Sequence, residues 1–337
     1  KMLSSRRTVL AGTMAILAMV GTTTAAAADN VLKLASFVPP VYILHKPVFE
    51  KLATDLDAAT GGSTTIQIYP SGELGKGPVE QYKRAVSRIA EITYGLPGYT
   101  SSIFPKTLLI ELPGVTSGPE DATAKLWKVM DKHLRGEFKK TVPLALFVTP
   151  PAVFMMRDKP VRSLEDLAGL KIRVSSSSAA AIVEAYGATP VPMPANKVYT
   201  AMNTGVVDGA LMGSDSLLIF KLIETTKYVT TNLPEMPTTI FLVANEDAYN
   251  ELSDADRAAL DSLTGLEISQ RSAAGLAKFG QIALGKFAGK EGAETILLSD
   301  DARAAFDAKA AAAVEKLKAE YDASGLPASE IIADMLK

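Results

Sequence analysis

The chain has 337 residues, enough for two domains of ordinary size, and 47% of them are hydrophobic, enough to fill two cores. Its 35 basic and 37 acidic side chains nearly cancel, to −2, without the basic excess of a nucleic-acid binder, so no nucleic-acid partner is expected. There is no cysteine, and the two histidines, His45 and His133, lie far apart in sequence; disulfides, thiolate catalysis and histidine-rich metal sites are excluded, and neither a cofactor nor a bound metal is expected.

Residues 2–28 read as an export signal. Ser4-Ser5-Arg6-Arg7 is basic, Val9 to Val20 is apolar, and Ala25 to Ala28 are small residues that suit a signal peptidase. The apolar run is shorter than the roughly 20 residues that span a bilayer. Ser5-Arg6-Arg7-Thr8-Val9-Leu10 also fits a twin-arginine signal, so both export routes stay open. The competing reading, a buried N-terminal helix, lacks a cap and runs into four alanines. Cleavage near Asp29 and a soluble periplasmic protein are the expectation. The most apolar later stretches, Leu108–Leu112 and Leu144–Val148, are strand-sized.

Val31–Ser36 reads as a strand that Pro39-Pro40 ends. His45–Ala59 carries Phe49, Leu52, Leu56 and Ala59 on one helical face, and Gly61-Gly62 stops it. Thr64–Tyr69 alternates as a strand before the Pro70-Ser71-Gly72 turn. Helix over Val79–Ile89, strand over Ile92–Tyr94, a long helix over Asp121–Phe138 and a buried strand over Leu144–Val148 follow. Leu164–Leu167 opens a second unit: strand at Lys171–Val174, helix at Ala179–Tyr186, strand from Val191, helix at Lys197–Asn203, strand at Ala210–Met212. Thr239–Ala244 is a strong apolar strand, and Ser253 to Glu320 is mostly helical and alanine-rich. Alternating strands and helices, repeated, predict an α/β fold: a bilobed periplasmic binding protein whose two α/β domains are joined by crossing strands and a long helix. Ligands of such folds sit at the carboxyl ends of the strands.

Three stretches are similar to the extracytoplasmic solute-binding proteins of TRAP transporters, the C4-dicarboxylate-binding periplasmic protein family. They are Tyr69-Pro-Ser-Gly-Glu-Leu-Gly75, Pro160-Val-Arg-Ser-Leu-Glu-Asp-Leu-Ala-Gly-Leu-Lys-Ile-Arg-Val174 and Val198-Tyr-Thr-Ala-Met-Asn-Thr-Gly-Val-Val-Asp-Gly209. The resemblance covers residues 30–325. It implies a receptor that hands a small organic carboxylate to the integral-membrane TRAP subunits; a monomer is the default expectation for its oligomeric state. It also implies that Arg173 binds the ligand carboxylate, a role that suits the two parallel N–H donors of a guanidinium. The expected division is a signal peptide at 1–28, domain I at 29–152 plus about 242–277, and domain II at 153–241 plus about 278–337. Asp208 and the glycines Gly72 and Gly75 read as turn-formers.

Two positions depart from the sialic-acid-type members. Met212 stands where they carry a ligand-contacting asparagine, and Val153-Phe154-Met155 where they carry a second cleft arginine, with Arg157 nearby. Both changes replace polar contacts with apolar surface. Phe37, Tyr42, Tyr99 and Phe154 are candidates for an aromatic cleft wall. A monocarboxylate with an apolar or aromatic body is therefore the expected ligand; a C4-dicarboxylate, or service to an ATP-driven importer, is the alternative. His45 reads as a cap or surface residue with ligand contact as the second reading, His133 as solvated, Phe104 and Trp127 as core, and Met155-Met156 as strand core or pocket wall. Ser175–Ser178 has no activating base nearby and no nucleophile elbow, so no enzyme is expected.

Overall fold

The computed structural model describes residues 30–337; the expected export signal lies outside them. One sheet holds β1 (Asn30–Ala35), β2 (Thr64–Tyr69), β3 (Ile92–Gly95), β4 (Thr141–Val148) and β10 (Thr239–Asn245), in the order β2-β1-β3-β10-β4. The other holds β5 (Ala152–Met156), β6 (Lys171–Val174), β7 (Thr189–Pro192), β8 (Gly209–Gly213), β9 (Tyr228–Thr231) and β11 (Glu294–Leu297), in the order β11-β9-β5-β8-β6-β7. The first three strands are parallel, with Leu34 beside Ile68 on one side and Ile92 on the other. Every residue of β10 is buried, as a strand covered on both faces requires.

Each sheet contains one strand delivered by the other half of the chain. β10 arrives from β9 and runs antiparallel between β3 and β4. β5 follows β4 directly and runs antiparallel between β8 and β9. The two crossings are tied together: the Thr149 amide donates to Thr238 O at 2.9 Å, and the Thr238 amide donates to Thr149 Oγ1 at 3.0 Å. A third link is the helix Leu266–Ala288, 23 residues and therefore about 35 Å long. Its first half buries Ile268, Ala273 and Leu276 against the first sheet. Its second half buries Ala283 and Phe287 against the second. Between these halves, a Cβ on Gly280 would lie 2.4 Å from Ser214 Oγ and 2.9 Å from Pro150 Cγ. The helix passes this close to the crossing only because residue 280 has no side chain.

Some elements differ from the sequence expectation. His45–Glu50 is a wider turn that leads into a regular helix only at Lys51; Pro47 has no amide to give an α-helical bond. The helix expected over Asp121–Phe138 is regular over Pro119–Val129 and then passes through irregular turns to Glu137. There the Glu137 carboxylate accepts from the Lys106 and Thr107 amides and the Thr107 hydroxyl, at 2.6–2.9 Å. The stretch 253–320 is broken at Thr264-Gly265 and again by β11, into Asp254–Leu263, Leu266–Ala288 and the helix beginning at Asp300. Phe104 is fully buried core. Trp127 is half-buried, its Nε1 donating to Leu146 O at 3.0 Å and Ser269 Oγ at 2.9 Å. His133 is not solvated: it is buried with Nε2 2.8 Å from Asp334 Oδ2, on the C-terminal helix Ala328–Leu336 that packs over Pro119–Val129.

Candidate functional site

A largely apolar cavity of about 40 Å³ lies where the two sheets meet, at the crossing. Strand ends supply most of its wall, because in each sheet the chain leaves its strands toward the other half. β1 runs into Phe37, Val38 and Tyr42; β3 contributes Tyr94 and leads to Leu96 and Tyr99; β6 contributes Arg173 and leads to Ser175; β8 contributes Met212 and leads to Asp215. Thr149 and Thr238, at the crossing, also line the cavity.

Arg173 is 2% exposed. Its Nε donates to Met193 O at 2.9 Å, while Nη2 has no hydrogen-bond partner. Burial lowers its pKa, and the Tyr99 phenol beside it opposes that. A guanidinium stays protonated through such a shift. The cavity wall therefore holds a desolvated cation with an unused donor, paired to no carboxylate among the described residues. Lys171, two residues earlier on the same strand, is exposed.

Tyr42 Oη and Tyr94 Oη are 2.6 Å apart and buried, and desolvation raises both pKa values. Phe37 packs on Tyr94 at 5.7 Å between ring centroids. Asp215 is 4% exposed, its Oδ1 has no partner, and burial pushes its pKa up to about 7.

The halves are in contact across the cavity. Tyr99 Oη accepts from the Ala195 amide at 2.9 Å. A Cβ on Gly98 would sit 2.6 Å from Ser175 O and 2.9 Å from Ser176 Cβ, so glycine permits the approach. Glu111 accepts from Ser176 Oγ at 2.5 Å and from the Thr239 amide at 2.7 Å. Its burial raises its pKa to about 7, against the pull of those two donors. The cleft is closed.

Of the residues singled out from the sequence, Arg173, Phe37, Tyr42, Tyr99 and Met212 line the cavity. Phe154 does not. It faces away from Val153 and Met155 along β5 and packs in the core beside Phe306, 6.4 Å between centroids. His45 is buried beside Phe49, 5.9 Å between ring centroids, and neither caps a helix nor reaches the cavity. Arg157 lies away from it, bonded to Met202 O and Asp158, and Met155 and Met156 are strand core. Asp208 pins β6 by accepting from the Lys171 amide at 2.8 Å. Sequence reasoning missed Tyr94, Ser175 and Asp215; the rule that ligands meet strand ends points to all three, each lying at or just past the end of a strand. One group of metal-capable donors, His133, Glu330 and Asp334, occurs among the described residues. Lys132 and Lys337 already sit 2.6 Å from the Asp334 oxygens, so ammonium groups supply the counter-charge there. No helix among the described residues is long and apolar enough to cross a membrane.

Residues 34–320 match the family model described as bacterial extracellular solute-binding protein, family 7. The ectoine/5-hydroxyectoine-binding periplasmic protein UehA of Ruegeria pomeroyi is 29% identical over 267 residues, 74% of either chain. The uncharacterized protein YiiZ of Salmonella typhimurium is 27% identical over 57% of this chain, which spans only 61% of YiiZ. A marine metagenome TRAP solute-binding protein specific for aromatic acid ligands, solved with 3-hydroxybenzoate, superposes with a TM-score of 0.87 at 25% identity, covering 92% of this chain and 97% of that one. With two α/β lobes closed over a cavity between strand ends, and a family match over nearly the whole described chain, the protein belongs to the bacterial extracellular solute-binding proteins of family 7, the TRAP solute receptors.

Proposed function

We propose that this receptor captures a small organic monocarboxylate with an apolar or aromatic body and delivers it to the membrane subunits of a TRAP transporter. The observation that carries the reading is the buried Arg173 guanidinium, whose Nη2 is left without a partner in the cavity wall. A buried donor without an acceptor is costly. A carboxylate offers the planar, charged acceptor that compensates it. Around this cation the wall is mainly aromatic and aliphatic, from Phe37, Tyr42, Leu96, Phe220 and Ile240. Among the described residues, no second arginine or lysine lines the cavity. A second ligand carboxylate would find no cation there, which disfavours a dicarboxylate. The relatives support a broader range: the metagenome neighbour takes aromatic acids, and the Ruegeria relative takes ectoines. Export with cleavage near Asp29 belongs to the same reading and rests on the order of residues 2–28.

Thermal unfolding against a panel of carboxylates tests it, because a ligand that binds only the folded state raises the melting temperature. Benzoate, phenylacetate or branched monocarboxylates are expected to stabilise the protein more than succinate or a sugar acid at equal concentration. A large shift with succinate and none with any apolar monocarboxylate would overturn the proposal.

A further inference from the structure

The cavity contains a second unsatisfied polar group that capture of a carboxylate does not use. Asp215 follows β8, is 4% exposed, and turns Oδ1 to no partner. It makes no ion pair with Arg173; both atoms are orphaned separately along the same wall. Gly213 leaves space for this orientation, since a Cβ there would lie 2.5 Å from Asp215 Oδ1. Nor does Asp215 serve as a structural cap: the short helix it precedes receives no side-chain bond from it.

The tyrosine pair lines the same cavity as this carboxyl. Two phenols hold two protons, and the Tyr42–Tyr94 bond at 2.6 Å uses one. One proton and the remaining lone pairs are left for a guest. This part of the wall therefore offers both an acceptor, on Asp215, and a donor, on the tyrosine pair. A hydroxyl both donates and accepts and uses the two together. A protonated nitrogen only donates and would leave the phenol proton unused.

Resting on the monocarboxylate reading above, we infer that Asp215, with the Tyr42–Tyr94 pair, is a second polar subsite that recognises a hydroxyl on the ligand body. The receptor then selects hydroxylated acids over their deoxy analogues. Burial pushes the Asp215 carboxyl up to about 7, so near neutral pH it is present both protonated and ionised and can accept from a ligand hydroxyl or donate to it.

Calorimetric titration with benzoate, its 2-, 3- and 4-hydroxy isomers, and 3-(aminomethyl)benzoate tests this. At least one hydroxy isomer is expected to bind roughly tenfold or more tightly than benzoate. In Asp215→Ala the ratio of hydroxy-isomer to benzoate affinity is expected to fall below about threefold, whatever happens to benzoate itself; Tyr42→Phe is expected to reduce that ratio as well. Both variants are checked for folding by thermal unfolding. Asp215→Ala is expected to unfold close to the parent, because the buried carboxyl it removes has an oxygen without a partner. If Asp215→Ala fails to fold, Tyr42→Phe decides. A hydroxyl advantage that survives substitution, or none in the parent, overturns the subsite and leaves the carboxylate reading standing. Tighter binding of the aminomethyl acid than of every hydroxy isomer overturns the hydroxyl assignment. Failure of every monocarboxylate to bind overturns the carboxylate reading and this subsite with it.

Discussion

Two carboxyl groups near the cleft, Asp215 and Glu111, have pKa values pushed up to about 7 by burial, and they differ in what surrounds them. Asp215 lines the cavity with an orphaned oxygen, whereas Glu111 is bonded on both oxygens and joins residues from both halves. Glu111 therefore reads as a latch. Its carboxyl titrates from an ordinary value of 4.5 in the unfolded chain and about 7 in the folded one. Folding retains a proton between those values. The stability Glu111 contributes is complete below the lower value and is lost as pH rises through the upper. Glu111→Gln keeps the shape without the titration. The parent is expected to lose on the order of 1–3 kcal/mol relative to this variant between about pH 4 and pH 8. Parallel pH–stability curves for the two proteins would contradict this. At this scale Arg173 was singled out through the resemblance of Gly169-Leu-Lys-Ile-Arg173 to the family's motif, because the strand alone, with Lys171 two residues away, reads equally well as carrying a solvated charge. Asp215 was not, since one acid in Gly213-Ser-Asp-Ser216 looks like any loop acid until the fold turns it inward.

The elements legible in the sequence were those with a clear local period. β1, β2, β6 and β10 were read nearly to their ends. β9 and β11 were not: each is four residues long, and their pairing with each other is set by contacts about 66 positions apart. Phe154 was misplaced because alternation along β5 fixes two faces but does not say which face meets the cleft. The linking helix was read only as part of a long helical stretch, and its meaning lies at Gly280. Gly280→Ala should make the free helix more favourable by roughly 1 kcal/mol. In the closed form the new methyl group presses on Pro150 and Ser214, at an overpacking cost of about 1–3 kcal/mol. The expected result is weaker ligand affinity with little loss of melting temperature in the ligand-free protein. Affinity equal to the parent's would show that the helix is not tight against the crossing when ligand is bound.

As a whole, the molecule is two sheets that exchange one strand each and share one long helix. We propose that the hinge lies at the paired crossings around Thr149 and Thr238, with the helix bending near Gly280. Closing brings Tyr99 against Ala195 and seals Arg173 from water, where a charged pair is far stronger than at a surface. The central claim is that this closed cleft is built around one carboxylate held by Arg173. Calorimetric titration of the parent and Arg173→Ala with the best-binding acid tests it most directly. Loss of one partner of a buried charged pair costs on the order of 3–5 kcal/mol, so affinity should fall roughly 100-fold to several thousand-fold. Arg173→Lys should also bind poorly, because an ammonium lacks the two-pronged geometry, while both variants remain folded. A folded Arg173→Ala protein that binds the same acid within about threefold of the parent would contradict the account.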